Sequence, residues 1–239
     1  MRARSAVLRF SAVALLAAGL SARPALAQDR DQIESAYRGL ARSVVRVEAR
    51  YASIFAPPGA GSGVVISDDG LIATADHVID GAAEIWVVDP GGVSQRAEII
   101  GRARERDLAL IRIEADGLVP IEPQDRPVRP GQCVLALGNV MNWGIGVFAG
   151  IVSLPVCGKG CPAGAPRGIL TDITTPPGLS GGALVACDDR SLVGIISFGL
   201  LALDSRAATA GIVGAVPVSE VAGLLTDQTA CALEDQPYC

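Results

Sequence analysis

"PPGLSGG", Pro176–Gly182, places a serine between glycines and ahead of an apolar run, "ALVAC". Gly178 can take backbone angles closed to other residues, and Gly181 and Gly182 let a substrate backbone approach closely. Pro176 and Pro177 stiffen the approach and donate no hydrogen bonds. Such a stretch reads either as a flexible Gly-Ser turn or as a loop that presents the Ser180 hydroxyl as a nucleophile. The rest of the chain decides between the two.

A serine nucleophile needs a base, and the chain has one histidine, His77, in "LIATADHVID". Chain order then separates the known hydrolase arrangements. "GLSGG" fits the G-x-S-x-G elbow of α/β-hydrolases, but that fold needs a histidine after the serine, and none follows Ser180. A subtilisin-like order needs an aspartate before the histidine. Asp69 and Asp76 are available, but neither sits in a βαβ pattern with a crossover helix. The order His, Asp, Ser remains, the chymotrypsin order. "RERDLALIRIE" offers Asp107 between the two, at the head of an apolar strand where a carboxylate can be held behind the imidazole.

"GSGVVISDDGLIATADHV", "RDLALIRI" and "TDITTPPGLSGGALV" together resemble the three signature blocks of trypsin-like serine peptidases, in particular the protease domain of the bacterial HtrA (Deg) kind. The resemblance runs from about Val44 to Leu225. It implies an all-β fold of two antiparallel six-stranded β-barrels of the chymotrypsin type, with the site in the cleft between them and short N- and C-terminal helices. His77, Asp107 and Ser180 are then the catalytic residues, with the backbone N–H groups of Gly178 and Ser180 as the oxyanion hole. "SFG", Ser197, Phe198 and Gly199, resembles the segment that pairs with an extended substrate. In relatives that cut after Lys or Arg, an aspartate lies six residues before the nucleophile. Here that position is Thr174, between uncharged Ile173 and Thr175, which implies small or medium uncharged P1 residues. Two positions depart from the pattern. Leu179 stands where relatives have Asp or Asn, and Asp76 puts a second carboxylate beside His77, where it could raise the histidine pKa.

The implied activity is a serine endopeptidase acting on unfolded or extended proteins through an acyl-enzyme. A non-catalytic binding module on the same fold and an esterase are the competing readings. HtrA proteins usually carry PDZ domains after the protease. About fourteen residues follow Leu225, too few for one.

Short apolar runs separated by turns agree with an all-β chain: "SVVRVEAR", "GVVIS", "LIATA", "EIWVVD", "AEIIG" and "DLALIRI" precede a Pro-rich connector, Glu122–Gly131. The same texture follows in "CVLALG", "IGVFAGIVSL", "GILTDI", "ALVAC", "SLVGIISFG" and "AGIVGAVPV". This divides residues 28–225 into a first barrel at about 43–121 and a second at about 128–217, leaving a tail at 226–239. "FAPPGAGSG" reads as a loop. Ile33, Tyr37 and Leu40 have weak helical spacing within 28–42, and "SEVAGLL" reads as a short terminal helix.

Residues 1–27 read as an export signal: a basic start, "MRARSAVLR", the apolar "FSAVALLAAGL", and a small-residue cleavage site at Ala25–Ala27. The apolar run is too short to span a bilayer, so periplasmic or secreted location without stable membrane insertion is expected. Removing the leader's four arginines from a net charge of −5 leaves −9, which gives no basic footprint for nucleic acid. Six cysteines in an exported chain favour disulfides. One histidine and a single close cysteine pair argue against zinc, and no cofactor is implied. Of the fifteen possible pairings, the expected set is Cys157–Cys161, Cys231–Cys239 and Cys133–Cys187.

Overall fold

The computed structural model describes residues 25–53, 55–124, 126–155, 168–174, 176–197 and 213–234, with side chains from 30 to 226. Among these, twelve strands form two closed barrels. The first contains β1 (Val44–Arg50), β2 (Gly59–Val65), β3 (Leu71–Thr74), β4 (Glu84–Val88), β5 (Ser94–Ala103) and β6 (Leu108–Arg112), closed in the order β1-β2-β3-β6-β5-β4. The second contains β7 (Cys133–Asn139), β8 (Ile145–Leu154), β9 (Ile169–Thr171), β10 (Ala183–Ala186), β11 (Leu192–Ser197) and β12 (Val213–Pro217), closed as β10-β11-β12-β9-β8-β7. All ladders between these strands are antiparallel.

Strands at the inter-barrel face are apolar on both sides because each serves two cores. Successive side chains of a strand point to opposite faces. Val45 and Val47 of β1 fill the first barrel, while Val44 turns outward to the inter-barrel core. Val134 and Ala136 of β7 fill the second barrel, while Leu135 and Leu137 face outward. The same alternation runs along β10, with Leu184 and Ala186 inside and Ala183 and Val185 between the barrels. Each fully buried Val or Leu contributes about 1.5–3 kcal/mol, so the shared core fixes the barrels against each other.

Helix α1 (Ala25–Leu40) sets Ala36 and Leu40 into that shared core, with Ile33 and Tyr37 packed against it, and the Tyr37 hydroxyl donates to the Ile145 carbonyl at 3.1 Å. Helix α3 adds Val221 and Leu224 to the same cluster. It spans Val218–Glu234, well past the short helix expected, and occupies the start of the stretch assigned to a tail. A second difference lies in β2, which begins at Gly59 within the stretch read as a loop. Gly59, Gly61 and Gly63 face Ala49, Val47 and Val45 across the ladder, so glycines that signal turns in isolation are held extended by β1. Cys133 and Cys187 form the expected disulfide, joining β7 to the residue after β10. The Cys157–Cys161 and Cys231–Cys239 pairings fall outside the described residues.

Candidate active site

His77 sits on α2 (Asp76–Ile79), a single helical turn set directly after β3. Asp107 comes from the head of β6, the strand paired directly with β3. A 3₁₀ turn at Arg104–Arg106 ends on Asp107 in the left-handed conformation, φ 53° and ψ 47°, just before β6. That backbone turns the carboxylate onto α2. Its Oδ1 accepts the His77 backbone N–H at 2.8 Å and its Oδ2 lies 2.7 Å from His77 Nδ1. A carboxylate can only accept, so Nδ1 carries the proton and Nε2 is the basic nitrogen. Burial pushes the Asp107 carboxyl up, but hydrogen bonds from the His77 ring, the Ser197 hydroxyl and the His77 backbone outweigh it and hold the group below its ordinary value.

The Ser197 contact was not legible in the sequence. Ser197, the first residue of "SFG", has its side chain wholly buried at the end of β11, where it donates to Asp107 Oδ2. Its separation of 90 residues from Asp107 leaves no local signal.

Ser180 belongs to the second barrel and is 9% exposed. Gly178 and Gly181, on either side, have φ of +99° and +83°. A side chain at Gly178 would lie 2.4 Å from the Asn139 carbonyl oxygen, and one at Gly181 would lie 2.1 Å from that of Ser62. Both positions therefore require glycine for conformation and for space. The same point on Gly181 lies 2.4 Å from Thr74 Oγ1 and 3.1 Å from the Ala75 nitrogen, so the nucleophile loop packs on the strand end that carries His77. Gly181 N–H donates to the Ile196 carbonyl and Ile196 N–H to the Gly182 carbonyl, at 2.7 and 2.8 Å, anchoring the loop to β11. Among the described residues, no hydrogen bond joins Ser180 Oγ to His77.

Leu179, the departure before the serine, is fully buried among Ile173, Leu184 and the rest of the second-barrel core. Pro177 offers its carbonyl to Met141 N–H at 3.0 Å. In a trans peptide the N–H points away from the C=O, so this contact aims the Gly178 N–H to the opposite side. Thr174, expected near the specificity pocket, is exposed, while Ile173 beside it is buried in the core. Thr175, Phe198 and Gly199 lie outside the described residues. Among the described residues, no cluster of three or more His, Cys, Asp or Glu side chains is arranged to hold a metal.

Asp76, the second carboxylate beside His77, has a partner of its own. It is 6% exposed and bound through both carboxylate oxygens to Arg102 on β5. The negative charge beside His77 is therefore matched by a guanidinium.

Known proteins are similar to this chain in sequence and in fold. Residues 61–195, more than half the chain, match the trypsin-like peptidase domain. A probable periplasmic serine endoprotease DegP-like from Marinomonas sp. (strain MWYL1) is 41% identical over 140 residues, which cover 57% of this chain and 29% of the relative. Serine protease HTRA1 of Xenopus tropicalis is 32% identical over 177 residues, covering 72% of this chain and 36% of its own length. The crystal structure of the serine endoprotease from Yersinia pestis matches with a TM-score of 0.68 at 32% identity, over 82% of this chain and 66% of that one. The chain thus spans roughly a third of the length of the curated relatives it matches. With two six-stranded barrels, a His–Asp pair on the first and a glycine-flanked serine on the second, the chain belongs to the trypsin-like peptidase domain family.

Proposed function

We propose that this chain is an exported serine endopeptidase that cleaves extended or unfolded protein substrates through His77, Asp107 and Ser180. The observation that carries the reading is the double grip of Asp107 on His77, through the backbone N–H and Nδ1. It leaves Nε2 as the base. Nε2 takes the Ser180 proton as Oγ attacks the scissile carbonyl, and Asp107 stabilises the imidazolium that results. The oxyanion that forms is held by the N–H groups of Gly178 and Ser180. Nε2 then gives its proton to the leaving amine, and a water activated by the same nitrogen releases the acyl group. Export is supported by the leader-like residues 1–27 and by relatives described as periplasmic. Among the described residues, no helix is long and apolar enough to cross a membrane. Uncharged Ile173 and Thr174 support a preference for uncharged P1 side chains.

Turnover of unfolded casein, of a peptide library and of a small ester by the purified chain tests this reading. Cleavage of casein after Val, Ala or Leu is the expected result. Ester hydrolysis without proteolysis would make the chain an esterase. Binding of unfolded protein without turnover of any substrate would make it a binding module.

A further inference from the structure

We propose that Ser62, on the first barrel, is a positioning residue that holds the oxyanion loop of the second. The inference rests on the peptidase reading above and adds a residue to it. Ser62 lies on β2, is wholly buried, and has its hydroxyl and its N–H engaged across the cleft. Its Oγ donates to the Gly178 carbonyl at 2.7 Å and accepts the Asn139 backbone N–H at 2.7 Å. These directions are unambiguous, because a carbonyl can only accept and an amide N–H only donate. Its own N–H donates to the Ser180 carbonyl at 2.7 Å, and its carbonyl accepts the Thr74 hydroxyl at 2.7 Å.

One residue therefore pins two carbonyls that bracket Leu179, those of Gly178 and Ser180. The two proposed oxyanion donors are the N–H groups of these same residues; each belongs to the peptide plane before the pinned carbonyl, so Ser62 restrains their separation and direction through the intervening Cα torsions. The Ser62 hydroxyl supplies half of this restraint, and its backbone supplies the other half. The second bond of the hydroxyl reaches Asn139, at the end of β7, whose carbonyl lies against Gly178. The bond from Thr74 ties the assembly to β3, three residues before His77. Ser62 thus links the strand leading to the base, the loop carrying the nucleophile and the strand beneath that loop. A side chain lacking the hydroxyl leaves the Gly178 carbonyl and the Asn139 N–H unpaired in a buried place, and the loop is then free to turn toward other partners.

A residue that orients transition-state donors affects kcat and leaves ground-state binding alone. Ser62→Ala should lower kcat, normalised by active-site titration, by about 10- to 100-fold, with KM changed less than about 3-fold. Affinity for a peptide aldehyde, whose tetrahedral adduct uses the oxyanion donors, should fall in parallel with kcat. Ser62→Cys keeps the shape with weaker hydrogen bonds, and should fall between wild type and Ser62→Ala. It also serves as the test variant if Ser62→Ala does not fold. A role confined to stability would lower the melting temperature or the titratable fraction while leaving normalised kcat and aldehyde affinity at wild-type values, and that result overturns the proposal. A folded wild-type protein that turns over no substrate and takes no covalent inhibitor overturns instead the peptidase reading on which it rests.

Discussion

Arg102 grips both ends of the helical turn that carries His77: its guanidinium binds Asp76 before the histidine and Asp80 after it. Arg102 Nη2 lies 2.8 Å from Asp76 Oδ2 and 2.8 Å from Asp80 Oδ1, and Nε reaches Asp76 Oδ1. The hydrogen bond to Asp76 is the largest influence on Arg102 and raises its pKa further. The two carboxylates are not equivalent. Asp76 is buried, and Asp80 is exposed.

Arg102→Met would leave Asp76 as an uncompensated buried charge. Breaking a buried pair in this way costs about 3–5 kcal/mol, against about 0–1 for an exposed one. Arg104→Met serves as the control, because among the described residues Arg104 reaches the exposed Asp80, at 3.6 Å, and its side chain is 69% exposed. Urea denaturation should show a large loss for the first variant and almost none for the second. Equal effects would mean that the Asp76 contact carries no special weight.

Asp107→Asn tests the carboxylate behind the imidazole. An amide can present its NH₂ to Nδ1 and hold the ring in the wrong tautomer, and kcat should fall by about 10⁴-fold with the fold intact. The variant also has a signature in stability. Asp107 is held below its ordinary pKa in the folded chain, so the stability it adds is present above the unfolded Asp value, about 3.9. It is lost as pH falls from there through the folded pKa. Thermal melts from pH 6 down to pH 3 should show the wild type losing more stability than Asp107→Asn. Parallel curves would remove the argument that these hydrogen bonds stabilise the ionised form.

The disulfide between Cys133 and Cys187 closes a stretch with a sequence separation of 54. By chain entropy, its removal should cost about 4 kcal/mol. The double variant Cys133→Ser/Cys187→Ser, measured in urea without reductant, should lose most of that amount. A loss below about 1 kcal/mol would show that the unfolded chain is already restrained by other means.

Most of the strand order was legible because apolar runs and turns are local signals. "IGVFAGIVSL" became β8 over the same ten residues, and "DLALIRI" contains β6. The triad candidates were legible through their order and through the resemblance of the blocks around them. What escaped was long-range. Ser62 lies 116 residues from Gly178, and Ser197 lies 90 from Asp107, so neither hydroxyl had a sequence neighbour to mark its partner. The partner of Asp76 escaped for the same reason, because the arginine that matches its charge arrives from a strand 26 residues away. The left-handed backbone at Asp107, which ends the 3₁₀ turn and brings the carboxylate to His77, is likewise announced by no local pattern.

Leu179 gives a prediction about activation. In digestive zymogens of this fold, a newly freed N-terminal amino group folds inward to an aspartate just before the catalytic serine. Here that position is a leucine packed into the second-barrel core, and it can accept no charge. Protein carrying extra residues ahead of Gln28 should therefore match the untagged protein in kcat without an internal cut. Leu179→Ala should destabilise the chain by about 2–5 kcal/mol through the cavity it opens. A tagged protein that is inert until limited proteolysis near its N-terminus would contradict this account.

The central claim is that Ser180 is a nucleophile activated by His77. Intact-mass and peptide mass spectrometry after treatment with a fluorophosphonate tests it most directly. The account predicts one adduct per chain, on Ser180, with labelling abolished in Ser180→Ala and reduced by several orders of magnitude in His77→Ala, while both variants keep the wild-type circular dichroism spectrum. An adduct on another residue, or full proteolytic turnover by a folded Ser180→Ala protein, would contradict it.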